Sequence, residues 1–223
     1  MLTPDANGYF ITGSDTDVGK TYISCQIIAQ LRRLNIDIET RKPAESGCDE
    51  DDDGVLRTHD AAALQQANAN RETLDRINPF RYRAALAPHR AARLQGQRIE
   101  IEALIDACDR DNPASLLIVE GAGGFYSPLA ENGLNADLAS ALQLPVIVVV
   151  ADRIGAVNQA LMTLQAVSSR QLRTAAVVLN QVAQQDDSAM DNAADLAPYC
   201  DTPIIRCCFN GVLPPMFETA NAK

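Results

Sequence analysis

The chain has 223 residues, 47% of them apolar, which is enough for a sizeable core. Its 19 basic and 29 acidic residues give a formal net charge of −10. That balance excludes a protein that grips nucleic acid or an anionic membrane over its whole surface, but leaves room for a local basic pocket around a small phosphate ligand. No apolar run approaches the ~20 residues needed to span a bilayer. Met1–Gly8 has neither the basic nor the hydrophobic region of a secretory leader, so a cytoplasmic protein is expected. The six cysteines show no C-x-x-C spacing and read as reduced thiols. His59 and His89 lie far apart, which leaves zinc and Cys–His chemistry without ligands.

Tyr9–Thr12 reads as a strand, followed by a loop and a helix over Lys20–Leu34 with Ile23, Ile27, Ile28 and Leu31 on one face. A second strand ends at Lys42–Pro43, because Pro43 has no N–H to give a ladder. Glu45–His59 reads as a loop. Its acidic run Asp49–Asp53 reads as solvated rather than as a metal site, since its side chains diverge unless a turn gathers them. A helix is predicted from Asp60, an N-cap candidate ahead of Ala-rich sequence. Ala84–Arg110 reads as two helical stretches split near Gly96. Leu116–Val119, Val146–Ala151, Ala175–Leu179 and Pro203–Ile205 are further strands, with helices over Ala156–Ser169 and Ser188–Ala197. This alternation predicts one α/β domain over residues 1–223, with a mostly parallel sheet covered by helices on both faces. Ligands of such sheets bind at the carboxyl ends of the strands, and the main motifs fall there.

The first motif, Gly13-Ser-Asp-Thr-Asp-Val-Gly-Lys20-Thr21, lies between a strand and a helix, as a phosphate-binding loop must. Loop and helix N–H groups would face phosphate oxygens, Lys20 would reach the β/γ-phosphates and Thr21 would ligate Mg²⁺. Ser14 stands where the strict pattern has Gly. With this loop the fold class becomes a P-loop NTPase-type three-layer sandwich. The second motif, Arg41–Gly47, offers Lys42 as a second ammonium near the phosphates, or as a surface lysine at a strand end. The third, Glu120-Gly-Ala-Gly-Gly124, offers an acid for Mg²⁺ and a backbone that a ligand can approach closely, or an ordinary Gly-rich turn. Asp60 reads equally as a plain N-cap. Asn180 suits a purine edge or a strand-end turn, and Asn158, near a helix start, is as ambiguous.

Gly13–Thr21, Lys42–Gly47, Glu120–Gly124, Leu144-Pro145-Val146 and Asn180 together resemble the dethiobiotin synthetase family, in order and in spacing, over about residues 9–182. Weaker echoes are Leu56-Arg57 with Asp60, Asn78-Pro79-Phe80, Pro88-His89, and Gly155 with Asn158. The resemblance implies an ATP- and Mg²⁺-dependent ligase of biotin biosynthesis that closes a urea ring on 7,8-diaminononanoate with CO₂. It further implies that Thr16, Lys20, Lys42 and Ser46 surround the reacting carbamate and γ-phosphate, with Ser46 on the substrate. Thr21, Asp60 and Glu120 would hold Mg²⁺. Asp17, Val18, Gly19, Lys20, Thr21 and Tyr22, with Asp60 and Glu120, Gly121, Ala122 and Gly123, would line the nucleotide, and Asn180 would meet the base. The family is homodimeric, which implies that Gly155 and Asn158 serve the partner's substrate site.

Three departures stand out. Asp17 replaces the usual Glu. Glu45 replaces a neutral residue and is expected to weaken binding of the anionic reactant. Cys207–Leu213 does not match the family's base-contacting stretch. The alternative reading is a partitioning-type nucleotide-switch ATPase. Against it, Gly13-Ser14-Asp15 lacks that group's extra lysine, and the chain is acidic with a short polar end, Thr219–Lys223. A GTPase is disfavoured because Asn180-Gln-Val-Ala lacks the Lys and Asp used for guanine.

Overall fold

The computed structural model describes residues 2, 4, 7–184 and 189–218. The chain runs β1 (Gly8–Gly13), α1 (Lys20–Arg33), β2 (Ile38–Arg41), then three short strands, β3 (Ala44–Ser46), β4 (Asp49–Glu50) and β5 (Leu56–Arg57). Next come α2 (Asp60–Ala67), α3 (Leu74–Ile77), β6 (Phe80–Tyr82), α4 (Pro88–Leu94) and α5 (Ile101–Ala107). β7 (Leu116–Gly124), β8 (Pro128–Ala130), β9 (Gly133–Leu134) and α6 (Asn135–Leu142) follow. The chain continues through β10 (Val146–Ala151), α7 (Ala156–Ser169), β11 (Thr174–Asn180), α8 (Asn192–Leu196), a 3₁₀ turn at Ala197–Tyr199, and β12 (Ile204–Cys207).

Six strands form one parallel sheet in the order β12-β11-β10-β1-β7-β2. Period-two alternation splits the strand side chains between two cores. Phe10, Leu117, Val119, Val146, Val148 and Val150 pack with residues of α4 to α8. Tyr9, Ile11, Leu116, Ile118, Ile147 and Val149 pack against Ile23, Ile27, Ile28 and Leu31 of α1 and Leu64 of α2. Both faces are therefore dry, which is why the strands read as unbroken apolar runs. This is the three-layer sandwich expected from the sequence. Strand order reverses at β1, whose neighbours are β10 and β7, so the crevice beyond its carboxyl end is where a ligand fits.

The predicted helices over Lys20–Leu34 and Ala156–Ser169 and the strand Val146–Ala151 are observed nearly to the residue. The Glu45–His59 loop is a correction. Glu45 and Ser46 belong to β3, which pairs in parallel with β6, and Asp49–Glu50 pairs with Leu56–Arg57 as a small hairpin. The Asp51 carboxylate builds that turn by accepting from the N–H groups of Asp53 and Val55, so a polar side chain replaces the apolar signal that was absent. The strand after Leu116 runs on through the Gly-rich motif to Gly124. The last helix is shorter than Ser188–Ala197. It starts at Asn192, capped by Asp191, and Ser188 lies outside the described residues, as do Thr219–Lys223. All six cysteines are free thiols.

At the open end of β2 a buried ionic knot takes the place of apolar packing. The Arg41 guanidinium, fully buried, donates to Glu39 (2.6 Å), to Glu72 and to the Asp109 carbonyl (2.9 Å). Burial works against the Glu39 carboxylate, but donors from Ser115, Asp111, Asn112 and Arg41 outweigh it and hold the acid down at about 2. Removing this fully buried cation would leave the buried Glu39 and the partly buried Glu72 without their direct charge partner. Arg41→Ala is therefore expected to lower unfolding free energy by roughly 3–5 kcal/mol. Urea denaturation checks this; a loss below about 1 kcal/mol would show that the knot carries no net stability.

Candidate active site

Two lysines meet at the carboxyl rim of the sheet. After β1 the chain wraps through Ser14–Gly19 into α1. Gly19 has φ +84, and a Cβ there would overlap the Asn180 amide, so both conformation and space demand glycine. Lys20, the first helical residue, is 7% exposed and donates to the Asp15 carbonyl (3.1 Å). Burial, reinforced by the like charge of Lys42, pulls its ammonium down to about 8. An anionic ligand would relieve both effects.

Strand register places the second lysine. Arg41 pairs with Val119, so Lys42 and Glu120 emerge level with each other at the rim. The Lys42 ammonium donates to Glu120 Oε1 (2.7 Å), Asp60 Oδ2 (2.7 Å) and the Gly121 carbonyl (3.2 Å). It is 2% exposed and Glu120 is fully buried. Burial alone would depress Lys42, but the two carboxylates outweigh it and hold the ammonium above lysine's usual value. For Asp60, burial pushes upward and Lys42 pulls downward, and the lysine prevails. Glu120 is also gripped by two hydroxyls of α1. Thr21 donates to Oε1 (2.7 Å) and Ser24 to Oε2 (2.6 Å). The buried acid thus has both oxygens satisfied.

Lys20, Thr21, Lys42 and Asp60 line one cavity of about 340 Å³ with Thr16, Asp17, Gly19, Glu45, Ser46, Ala122 and Gly123, whereas Glu120 and Ser24 are buried behind its wall. Ser46 presents its hydroxyl from β3 while donating to the Leu86 carbonyl (2.6 Å). Sequence reading did not find Asn135. Its side chain spans the Gly-rich strand end, donating to the Ala122 (2.7 Å) and Gly124 (3.2 Å) carbonyls and accepting from the Ala122 N–H (3.0 Å). A Cβ on Gly121 would fall 2.5 Å from Asn135 Oδ1, which explains the glycine. Ser24 was missed too, although it sits one helical turn beyond Thr21, and that spacing was a usable signal. Asp60 is not the N-cap of α2. It is the first helical residue, and the Glu45 carboxylate meets the helix's free N–H groups. Glu45 is therefore committed to α2 while lining the cavity, a role its sequence position did not reveal.

Asn180 ends β11 and donates to the Val18 carbonyl (2.9 Å), tying that strand to the loop; its buried Oδ1 has no partner. It lines a second cavity of about 250 Å³ with Asp17, Gly19, Tyr22, Gln181, Val182, Phe209 and Asn210. The outer wall belongs to a segment strapped along α1. Tyr22 donates to the Gly211 carbonyl (2.6 Å). Gln26 accepts from the Leu213 N–H (2.6 Å), and Gln30 accepts from the Met216 N–H (2.9 Å). Gly155 and Asn158 lie at the start of α7 and line neither cavity; Asn158 faces Met162.

The donors Thr21, Asp60 and Glu120 are all hard oxygens, which suits Mg²⁺. Among the described residues no three His, Cys, Asp or Glu side chains gather as a metal cage. Thr21 and Asp60 line the cavity and fit an ion whose remaining ligands come from water and a nucleotide, while Glu120 lies buried behind them with both oxygens already bonded. No helix among the described residues is long and apolar enough to cross a membrane.

The family model described as an AAA domain matches residues 7–216. The ATP-dependent dethiobiotin synthetase BioD of Vesicomyosocius okutanii is 36% identical over 198 residues, covering 89% of this chain and 88% of the relative. The ATP-dependent dethiobiotin synthetase BioD of Anaeromyxobacter sp. (strain Fw109-5) is 39% identical over 193 residues, covering 85% and 84%. In fold, the chain is similar to the cell division protein ftsY of Thermotoga maritima, with TM-score 0.53 at 11% identity, covering 96% of this chain and 66% of that one. With a P-loop at the switch point of a parallel sheet and relatives this close over nearly its full length, the chain belongs to the ATP-dependent dethiobiotin synthetase family of ligases.

Proposed function

We propose that this enzyme joins CO₂ to 7,8-diaminononanoate and closes the ring, converting ATP to ADP and phosphate and releasing dethiobiotin. The observation that carries the reading is the pairing of Lys20 and Lys42 in one small cavity that Ser46 also lines. A carbamate beside a triphosphate concentrates negative charge, and two ammonium groups are the matching counter-charges. Phosphoryl transfer of this kind depends on positioning and electrostatics, so it needs no histidine or cysteine.

In this reading the N–H groups of Asp17–Tyr22 and Lys20 hold the phosphates. Thr16 and Lys42 orient the carbamate oxygen toward the γ-phosphorus, and Ser46 bonds the organic substrate. Thr21, Asp60 and Glu120 would hold Mg²⁺, whose charge neutralises the β/γ-oxygens when bound. Gly121 to Gly123 give the nucleotide a close backbone approach. The unpartnered Asn180 Oδ1 is an acceptor, which matches the amino group of adenine and mismatches the carbonyl of guanine. The homodimer belongs to this proposal too. Ile154 is 89% exposed beside Gly155, and Met162 is exposed one turn beyond Asn158, an apolar patch that a second copy would cover.

The decisive experiment is a turnover assay with diamine, bicarbonate, Mg²⁺ and each nucleoside triphosphate in turn. ADP release should require diamine and CO₂ together and should favour ATP. Nucleotide-dependent dimerisation without diamine-dependent turnover would instead support the partner-acting switch. Lys42→Ala should cut turnover by about 100-fold or more. It should also lower the melting temperature, because it leaves Glu120 buried without its cation. Near-normal turnover would remove Lys42 from the chemistry. Ser46→Ala should raise the KM for the diamine roughly 10-fold, about 1.4 kcal/mol, and leave half-saturation by ATP unchanged. An equal rise in both constants would place Ser46 outside the organic subsite.

A further inference from the structure

Glu45 stands one residue before Ser46 on β3 and is 5% exposed. Its Oε1 accepts from the backbone N–H groups of His59 (2.7 Å) and Asp60 (3.0 Å), and its Oε2 accepts from that of Ala61 (2.9 Å). These donors at the start of α2 have no intrahelical partner, and His59, the residue in the capping position, gives no side-chain bond. One carboxylate from another element thus meets three of them, and its charge lies at the positive end of the helix dipole. The strand holding it is fixed in turn by the register Glu45↔Arg81 with β6. Asp60 is consequently held twice, by its N–H on Glu45 and by its carboxylate on Lys42.

We infer that Glu45 is a positioning residue of this active site: by clamping the first turn of α2 it fixes the Asp60 carboxylate beside Lys42, so that metal–nucleotide binding depends on the same strand that presents Ser46. The inference rests on the proposed role of Asp60 toward Mg²⁺ and adds a residue that touches neither metal nor nucleotide. Glutamine is nearly isosteric but offers one acceptor oxygen in place of two, and its amide would confront the N–H that the second oxygen now receives. Glu45→Gln therefore loosens the clamp without emptying the space.

The test is a double-mutant cycle read by calorimetry, with a non-hydrolysable ATP analogue titrated at varied Mg²⁺ and no diamine present. Glu45→Gln should raise the Mg²⁺ concentration for half-maximal binding about 5–10-fold, while Mg²⁺-free binding changes less than about 2-fold. Asp60→Asn should raise it at least as far. The double variant should be no worse than Asp60→Asn alone, since residues acting as one unit are not additive. Multiplied effects in the double variant would overturn the inference. So would a Glu45→Gln protein that melts earlier but needs no more Mg²⁺, because that is a merely structural cap. If Glu45→Gln is unfolded at the assay temperature, Glu45→Asp serves in the same cycle, keeping the charge but shortening the reach by one methylene, and a wild-type Mg²⁺ response would again overturn the inference. The cycle uses only metal and nucleotide, so wild-type protein lacking diamine-dependent turnover would sink the proposed reaction and leave this result readable.

Discussion

Everything at the rim depends on one buried ammonium. Lys42 lies between the fully buried Glu120 and the half-exposed Asp60, and neither the ammonium nor the Glu120 carboxylate is tenable there alone. Glu120 is fully buried on β7, Asp60 begins α2 and Lys42 directly follows β2, so the triad joins the edge strand of the sheet to its neighbour and to a helix. Thr21 and Ser24 add α1 to the same knot through the Glu120 oxygens. A charge cluster of this kind is weak evidence for stability. What the contacts do show is that β2, β7, α1 and α2 are tied together through the oxygens of one buried carboxylate and the protons of one ammonium.

The fold was largely legible because its signal is apolar. β10 and α7 were bounded almost to the residue, since a strand dry on both faces and a helix with one apolar stripe leave unmistakable patterns. The segment after Pro43 was not legible for the converse reason. β3, β4 and β5 are short and polar, and side chains such as Asp51 shape their turns, so periodicity has nothing to count. The same division runs through the site. Lys20, Thr21, Lys42, Glu120 and Asp60 sit in motifs whose chemistry is local; the structure brings four of them into one cavity and buries Glu120 beneath it, bonded to Lys42 and Thr21. Asn135 and Glu45 act on backbone atoms of other elements, 8 to 16 residues along the chain, and no local pattern marks such a partner.

Two polar devices hold the loops around the cavity, and they differ in kind. Asn135 is neutral and bridges backbone donors and acceptors of one strand end, fixing a Gly-rich path that would otherwise have many conformations. Glu45 is charged and serves a helix end, where a carboxylate gains from the dipole as well as from its bonds. The departure that sequence comparison marked as a burden on an anionic reactant is thus directed at N–H groups.

The strap along α1 has a consequence for how such an enzyme can diverge. Gln26 and Gln30 hold residues 213 to 216 by hydrogen bonds between side chain and backbone, which read the path of the strap but not its side chains. Phe209, which walls the second cavity, is therefore exchangeable without disturbing the anchor, whereas its neighbour Asn210 is held at φ +53, a conformation that favours Asn or Gly; both lie on a different element from the lysines and carboxylates. On the proposed reading, selectivity at one end of the ligand and chemistry at the other would rest on separate elements that meet only at Asp17 and Gly19, free to drift at different rates.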